Sequence, residues 1–330
     1  MDLPNELRLA LDAALRGAGQ AELRTTAAAL SQRYRAGHGA ADGPPEGVGY
    51  VRSSADATAY AAYRMPATYA AVSAAMGAIS ARLPGWTPGS LLDAGAGLGA
   101  SLWAATEIWD DLGSAELIES EPAMLALGRQ LATRSRHSAL AAAVWRHANL
   151  TESWQTTRHD LVTATYVLGE LPTAARDTLV DQLWAHSGHA LLLVEPGTPQ
   201  GWAIIRAARE RLRAAGAVIV APCPHQGACL LAADDWCHFA QRVSRSKAQR
   251  NAKGADRGYE DEKFAYVAVA RTPGTSISAR VLRRPLIRPG RIELALCAPE
   301  GTRREIVTRA DRARWRMARD AEWGDALPDE

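Results

Sequence analysis

The sequence predicts an α/β fold, a mostly parallel sheet wound with helices, and three observations predict it. From residue 90 onward, short apolar runs alternate with helix-like segments, the rhythm of strand–helix–strand units. The first run, Ser90-Leu91-Leu92-Asp93, ends in an acid and leads into glycines at alternate positions, Gly95, Gly97 and Gly99. The second run, residues 115–119 (AELIE), also ends in an acid, Glu119. A strand, a tight glycine turn and a helix start are the parts of a binding crevice at the carboxyl end of a sheet.

Taken in order, the chain opens with helical spacing. Leu7, Leu11, Leu15, Leu23, Leu30 and Tyr34 mark residues 4–36 as helical. Residues 37–49, rich in Gly, Pro and Ala, read as a loop. Residues 50–83 resume a helical pattern in which Pro66 starts or kinks a helix, and residues 84–88 close an N-terminal helical region, 1–85. Strands are expected at 91–93, 115–119, 141–146, 160–166, 190–195, 217–221 and 264–270. Helices are expected at 122–134, 172–186 and 202–214. The rhythm breaks at 222–258, which reads as a cysteine-rich insertion between the last two strands of a sheet domain, 86–270. Residues 271–330 read as a small α+β extension, with strands 281–287 and 292–297 paired and a basic helix over 311–323.

A length of 330 residues suits about two domains of roughly 150 residues each, and 47% apolar residues support a large core. No apolar run approaches the roughly 18 residues needed to span a membrane. The N-terminus carries an acid at once and lacks a secretory core with a cleavage pattern, so a cytoplasmic protein is expected, monomeric when free and with no membrane partner. Four cysteines in so long a cytosolic chain argue against a disulfide framework.

Acids at the strand tips suit hydroxyls or an amine better than phosphates. With G-x-G-x-G in place of the dinucleotide spacing G-x-G-x-x-G, they point to S-adenosylmethionine. The motif resembles the first motif of class I methyltransferases, whose sheet is Rossmann-like. Asp93, Gly95, Gly97 and Gly99 are the candidate cofactor residues, Glu119 the ribose-binding acid, and Asn149, after the third strand, the adenine contact. Tyr166 and Glu170 follow the fourth strand, where reacting groups gather, and are the catalytic candidates; capping of the next helix is the competing role for Glu170. The run Thr165-Tyr166-Val167-Leu168 lacks the Asn/Asp-Pro-Pro-aromatic motif of amino methylation, and no cysteine lies near the fourth or fifth strand to serve cytosine C5 chemistry.

All four cysteines fall in the last third of the chain: Cys223, Cys229, Cys237 and Cys297. Four thiolates suit zinc or an iron–sulfur cluster. No C-x(2–4)-C pair is present, and the wider loops suit a bulkier [4Fe–4S] centre better than zinc. His225 and His238 are reserve ligands. Basic stretches flank these residues. Residues 241–258 carry Arg242, Arg245, Lys247, Arg250, Lys253 and Arg257 against Asp256 alone, and residues 280–319 hold twelve arginines and four acids. Such stretches are the footprint of a phosphate-rich partner, and arginine's flat fork suits folded RNA.

The segments YAAYRMPATYAAV (60–72), LLDAGAGLGA (91–100), VEPGTPQGW (194–202), APCPHQGAC (221–229), DWCHFAQRV (235–243), YEDEKFAYVA (259–268) and WGD (323–325) resemble the methyltransferase-like proteins associated with the small ribosomal subunit, found in mitochondria and bacteria. The resemblance runs from about residue 50 to the end. It implies a [4Fe–4S] cluster on Cys223, Cys229, Cys237 and Cys297, and binding to small-subunit rRNA during assembly of the ribosomal small subunit. It leaves two functional expectations: an S-adenosylmethionine-binding assembly factor that methylates rRNA, or an inactive ribosome-binding factor whose cofactor pocket is vestigial.

Overall fold

The computed structural model describes residues 1–37, 49–232, 234–246, 249–250 and 256–328. Most of the expected 37–49 loop, together with Lys247 and Lys253, therefore lies outside the described residues. The chain begins with four helices, α1 (Asn5–Ala14), α2 (Gln20–Gly37), α3 (Ser54–Tyr63) and α4 (Met65–Arg82). Ser53 caps α3 by accepting a hydrogen bond from the Asp56 amide. Pro66 stands in the first turn of α4, where its missing N–H costs nothing. Helix α4 is buried on nearly every side, with Met65, Ala70, Ala71, Val72, Ala75, Met76 and Ile79 all fully covered. A helix apolar all round belongs inside a core, and its alanines let neighbours approach closely.

Eight strands form the main sheet. They are β1 (Ser90–Ala94), β2 (Ser114–Glu119), β3 (Val144–His147), β4 (His159–Thr165), β5 (Ser187–Pro196), β6 (Val218–Ala221), β7 (Phe239–Ser244) and β8 (Tyr259–Ala270). Their order is β3-β2-β1-β4-β5-β8-β6, with β7 paired to β8. Strands β1 to β5 run parallel and β8 runs antiparallel to β5, β6 and β7. The chain reverses its strand order at β1, which has β2 on one side and β4 on the other, so the glycine turn opens at the switch point. Helices α5 (Ala100–Ile108), α6 (Pro122–Ala132), α7 (Ser138–Ala141), α8 (Thr173–His186) and α9 (Pro199–Ala214) connect the strands.

Three expectations are corrected here. The third strand starts at Val144 rather than residue 141, because His137 Nδ1 accepts from the Ala139 amide and starts the short α7 instead. The last strand starts at Tyr259, five residues before the apolar run that revealed it. Its polar half pairs with β7, so part of the segment read wholly as an insertion is a strand of the sheet.

A second sheet follows, from β9 (Ala279–Val281), β10 (Leu286–Arg288), β11 (Arg291–Ala298), β12 (Gly301–Thr308) and β13 (Ala326–Leu327), with α10 (Arg312–Asp320) against it. The expected pairing of 281–287 with 292–297 is present in two pieces, Val281 opposite Leu296 and Leu286 opposite Glu293. Strand β12 was not expected; its inward side is thin, with only Val307 buried. Along β11, Ile292, Leu294, Leu296 and Ala298 enter this sheet's own core. Period-2 alternation turns Cys297 to the opposite face, where it packs on the main core.

Helix α9 enters at a close approach. A Cβ on Gly201 would stand 2.1 Å from the Pro196 carbonyl oxygen, a backbone atom. Gly201→Ala should destabilise the chain by about 1–3 kcal/mol, the usual range for overpacking, seen as a lower urea midpoint. Gly77→Ala in α4, where an added Cβ meets nothing within 4 Å, should leave the midpoint unchanged or raise it.

Candidate functional site

One large cavity, of about 1410 Å³, lies at the carboxyl end of the sheet. Gly95 and Gly97 line it with φ of +74° and +56°, values open to glycine and strained for other residues. A Cβ on Gly95 would come within 2.5 Å of Val167. Gly99, at φ +82°, is the N-cap of α5. Glu119 lines the cavity and secures the turn: Oε2 accepts from the Gly97 amide at 2.7 Å and Oε1 from the Glu121 amide at 2.8 Å. Burial raises its pKa. Asn149 lines the cavity too, its Oδ1 accepting from the Thr151 amide and hydroxyl.

Asp93 is placed differently from expectation. It is fully buried beneath the turn and does not line the cavity. Its register opposite Thr163 on β4 lets Oδ1 accept from the Thr163 hydroxyl at 2.7 Å, while Oδ2 has no partner among the described residues. Burial pushes its pKa up to about 7. Its role is to brace the turn from below. Glycines that line the cavity and a carboxylate suited to ribose hydroxyls make a set that fits S-adenosylmethionine.

Tyr166 and Glu170 both reach the cavity. Tyr166 has φ +60°, the one positive value outside glycine among the described residues, and such strain persists where the surroundings enforce it. Its hydroxyl donates to Glu262 Oε1 at 3.0 Å. Glu262 also takes both Nη atoms of Arg64, at 3.0 and 3.3 Å. Glu170 ends a single 3-10 turn (Leu168–Glu170). The helix-capping role is overturned: the N-cap of α8 is Pro172, with no side-chain cap. Burial first, then the charges of Glu119, Glu195 and Glu121, hold Glu170 well above the usual carboxylate range. Glu195 is itself buried, accepts from the Gly169 amide and is pushed up to about 7.

Sequence reading missed Arg64, Glu262 and the tyrosines Tyr34, Tyr50, Tyr60 and Tyr63 that also line the cavity. One signal was available: Arg64 is the sole charged residue between Asp56 and Arg82.

The cysteines converge from separate segments. Cys223 and Cys229 follow β6, Cys237 precedes β7 and Cys297 comes from β11. All four are free thiols; Cys237 is buried and the others half-buried. Burial raises Cys237, and the charges of Cys223, Cys297 and Cys229 raise it further. Cys297 is pushed up to about 12 by burial, with Cys223 and Cys229 next. His225 Nε2 lies 4.0 Å from Cys297 Sγ. His238 is engaged elsewhere, stacked on Trp236 and edge-on to Trp323. As placed, no three His, Cys, Asp or Glu side chains among the described residues are grouped closely enough to hold a metal ion. The donor chemistry, four free thiols, is of the kind that holds zinc or an iron–sulfur cluster.

The basic stretches are less free than their sequence suggests. Arg242 pairs with Asp261, Arg245 with Glu260, Arg304 with Glu293 and Arg314 with Glu305. Arg284, Arg288, Arg291, Arg309, Arg312 and Arg316 form no ion pair among the described residues. No helix among those residues is long and apolar enough to cross a membrane.

A sheet in the order β3-β2-β1-β4-β5-β8-β6, with one antiparallel strand slotted between the fifth and sixth and a glycine turn after β1, has the topology of the class I methyltransferase fold. Solved structures similar to this chain include magnesium protoporphyrin IX methyltransferase from Synechocystis PCC 6803 with bound SAH (14% identity, TM-score 0.40, 81% of this chain and 100% of that one). An O-methyltransferase family protein from Burkholderia thailandensis is another (13% identity, TM-score 0.42, 68% and 62%). The chain belongs to the family described as mitochondrial small ribosomal subunit Rsm22, whose model matches residues 54–328. It is 32% identical over 289 residues to the human ribosome assembly protein METTL17, mitochondrial, covering 82% of this chain and 62% of that protein. It is 26% identical over 197 residues to the Rsm22-cox11 tandem protein 2, mitochondrial, of Schizosaccharomyces pombe, covering 44% and 26%. The chain thus spans about three-fifths of the human relative's length.

The buried acids give a pH signature. Asp93 and Glu195 rise from ordinary values of 3.8 and 4.5 to about 7. Between those limits the folded chain keeps protons that the unfolded chain has released, so their contribution to stability is present at low pH and is lost as the pH rises toward 7. In urea unfolding followed from about pH 5 to pH 7.5, Asp93→Asn should reduce the fall in stability relative to the unmodified chain.

Proposed function

We propose that this chain is an S-adenosylmethionine-binding, iron–sulfur protein that binds small-subunit rRNA and assists assembly of the ribosomal small subunit. The observation that carries the reading is the placement of Cys297 on the face of β11 that packs on the main core, the same core that Cys223, Cys229 and Cys237 join. It joins the C-terminal sheet to the methyltransferase fold in a chain whose family and human relative are named for the small subunit and for ribosome assembly. In this reading the four cysteines hold a [4Fe–4S] cluster, whose binding contributes to folding of the segment after β6. Zinc on the same residues is the alternative occupant. The unpaired arginines between Arg284 and Arg316 contact rRNA phosphates.

Within the cavity, Glu119 takes the ribose hydroxyls, Gly95 and Gly97 let the backbone approach the cofactor, and Asn149 meets the adenine. The cofactor supplies an electrophilic methyl group. Glu170, whose pKa its surroundings raise, and Tyr166, held by Glu262, face the place an acceptor would take.

A second reading, a ribosome-binding factor without transferase activity, is favoured by two observations. The Tyr166 hydroxyl is committed to Glu262, and residues 165–168 lack the acceptor motif of amino methylation. Labelled methyl transfer to small-subunit RNA separates the two readings, since only the first expects it.

Further measurements test the cofactor and metal assignments of the first reading. Glu119→Ala should weaken S-adenosylhomocysteine binding by calorimetry about tenfold or more, the value of charge-assisted hydrogen bonds; undiminished affinity would remove Glu119 from the cofactor site. Chain purified without oxygen should carry about four irons and crosslink to small-subunit rRNA in cells. A colourless protein with stoichiometric zinc would replace the cluster by the alternative occupant.

A further inference from the structure

Two guanidiniums are buried beside the cysteines. Arg209 on α9 is 1% exposed and Arg280 on β9 is 3% exposed. A buried charge is costly unless a counter-charge and hydrogen bonds offset it. Arg209 has a partial answer. It donates to Glu210, which is one-third exposed and shared with Arg213, and to the Gly227 carbonyl at 2.6 Å. Its third contact is Nε to Cys223 Sγ at 3.3 Å.

Arg280 has no such answer. Nε donates to the Pro222 carbonyl and Nη1 to the Gly324 carbonyl, each at 2.8 Å. Both partners are neutral. Nη2 is buried with no partner, and no carboxylate pairs with Arg280 among the described residues. Its position leads to the cysteines: Arg280 stands opposite Cys297 in the β9–β11 register, and its charge bears on both Cys223 and Cys297. Arg209 bears on the same two thiols. Two buried cations therefore stand by the thiols, Arg209 bonded to Cys223 and Arg280 opposite Cys297, and Glu210 is the one carboxylate paired with either among the described residues. That surplus of positive charge calls for an anion at the thiols.

We propose that Arg209 and Arg280 are the counter-charges of the thiolate-held centre, positioning residues that allow its net negative charge to sit inside the protein and that govern how readily it accepts an electron. The proposal rests on the reading that the four cysteines hold a metal centre. Four thiolates around an oxidised [4Fe–4S] core carry a net charge of about −2, which two guanidiniums balance. Nearby positive charge favours the more negative, reduced form, and hydrogen bonds to sulfur act in the same direction. Arg209 already donates to one ligand sulfur, and the unpartnered Nη2 of Arg280 is a donor still free for the centre.

The test uses the full chain purified without oxygen, as the unmodified protein and as Arg280→Met, Arg280→Lys, Arg209→Met and Arg209→Lys. Iron and sulfide per chain are measured, with the midpoint potential from a dithionite titration followed by electron paramagnetic resonance. Arg280→Met should retain less than about half the iron of the unmodified chain, and the centre that remains should reduce at a more negative potential. Arg280→Lys, which keeps the charge, should restore most of both. The Arg209 pair should behave alike, with the smaller loss, because Glu210 already offsets part of that charge.

Arg280→Met with unchanged iron content and potential would overturn the proposal. So would equal losses in the Met and Lys variants, since the side chain's shape and not its charge would then matter. An unmodified chain that binds neither iron nor zinc would overturn the underlying reading of the cysteines, a result distinct from either. If the chain carries zinc, the charge argument stands on retention alone: zinc should leave Arg280→Met for a chelator faster than it leaves the unmodified chain, and equal rates would overturn the proposal.

Discussion

The structure depends on strand β8 and on the way it is divided. Its last seven residues, Phe264 to Ala270, are buried and slide antiparallel between β5 and β6. Its first five, Tyr259 to Lys263, are too polar for that slot and extend past it to pair with β7. One strand thus completes the main core and carries a polar ladder beyond it, from Phe264 opposite Phe239 to Tyr259 opposite Ser244. The same ladder brings Glu262 back over the cavity to Arg64 and Tyr166. Arg64 sits between two helices of the N-terminal region, so a single ion pair, 13–25% exposed, ties first helices, last strand and cavity together. Removing one partner of such a pair costs more than the pair itself contributes, because the other is left buried and alone.

The cavity follows from that arrangement and from the cost of burying charge. Four carboxyls gather near the ends of β1, β2, β4 and β5: Asp93, Glu119, Glu170 and Glu195. Like charges so close cannot all ionise in a buried site. The structure handles each differently. Glu119 is satisfied by backbone amides, Glu195 by the Gly169 amide, and Asp93 by a threonine hydroxyl. Glu170 has no hydrogen-bond partner for its side chain among the described residues and faces the open space. Of the four, it is the one left to meet a ligand.

What could be read in the sequence was whatever is local. The glycine turn is legible because three positive φ values in five residues demand glycine, and nothing distant has to be known. Strand tips ending in acids are equally local. The cysteines were legible as a set because the chain has no others, although Cys297 joins them only through the alternation of β11. The functions of Arg64 and Glu262, 198 residues apart, were not legible, since neither has meaning without the other. Strand β7 was hidden for a related reason: its neighbour is the polar half of β8, and Gln241 and Arg242 facing Glu262 and Asp261 look like a solvated charge run until the register is known. Asp93 was found and its direction missed, because period-2 alternation sets which face a residue takes, while the identity of that face depends on Thr163, seventy residues on.

The two sheets hold the cysteines by different means, and the difference bears on how the centre would form. The segment after β6 has little regular structure between Pro222 and His238, and its backbone is tied down by side chains: Gln226 bridges both backbone groups of Ile219, Arg209 reaches Gly227, and Trp236 donates to Gly197. Cys297, by contrast, sits mid-strand in a sheet with its own core. With three cysteines on a loop and one on a strand, formation of the proposed centre would require the loop to adapt to the strand. Arg280, opposite Cys297 and bonded to Pro222 at the start of the loop, is the side chain that spans the two. A buried cation is a poor choice for a purely structural strap, since an apolar contact would span the same gap without the cost of desolvation. In the proposed centre, the negative charge of the thiolates would offset that cost.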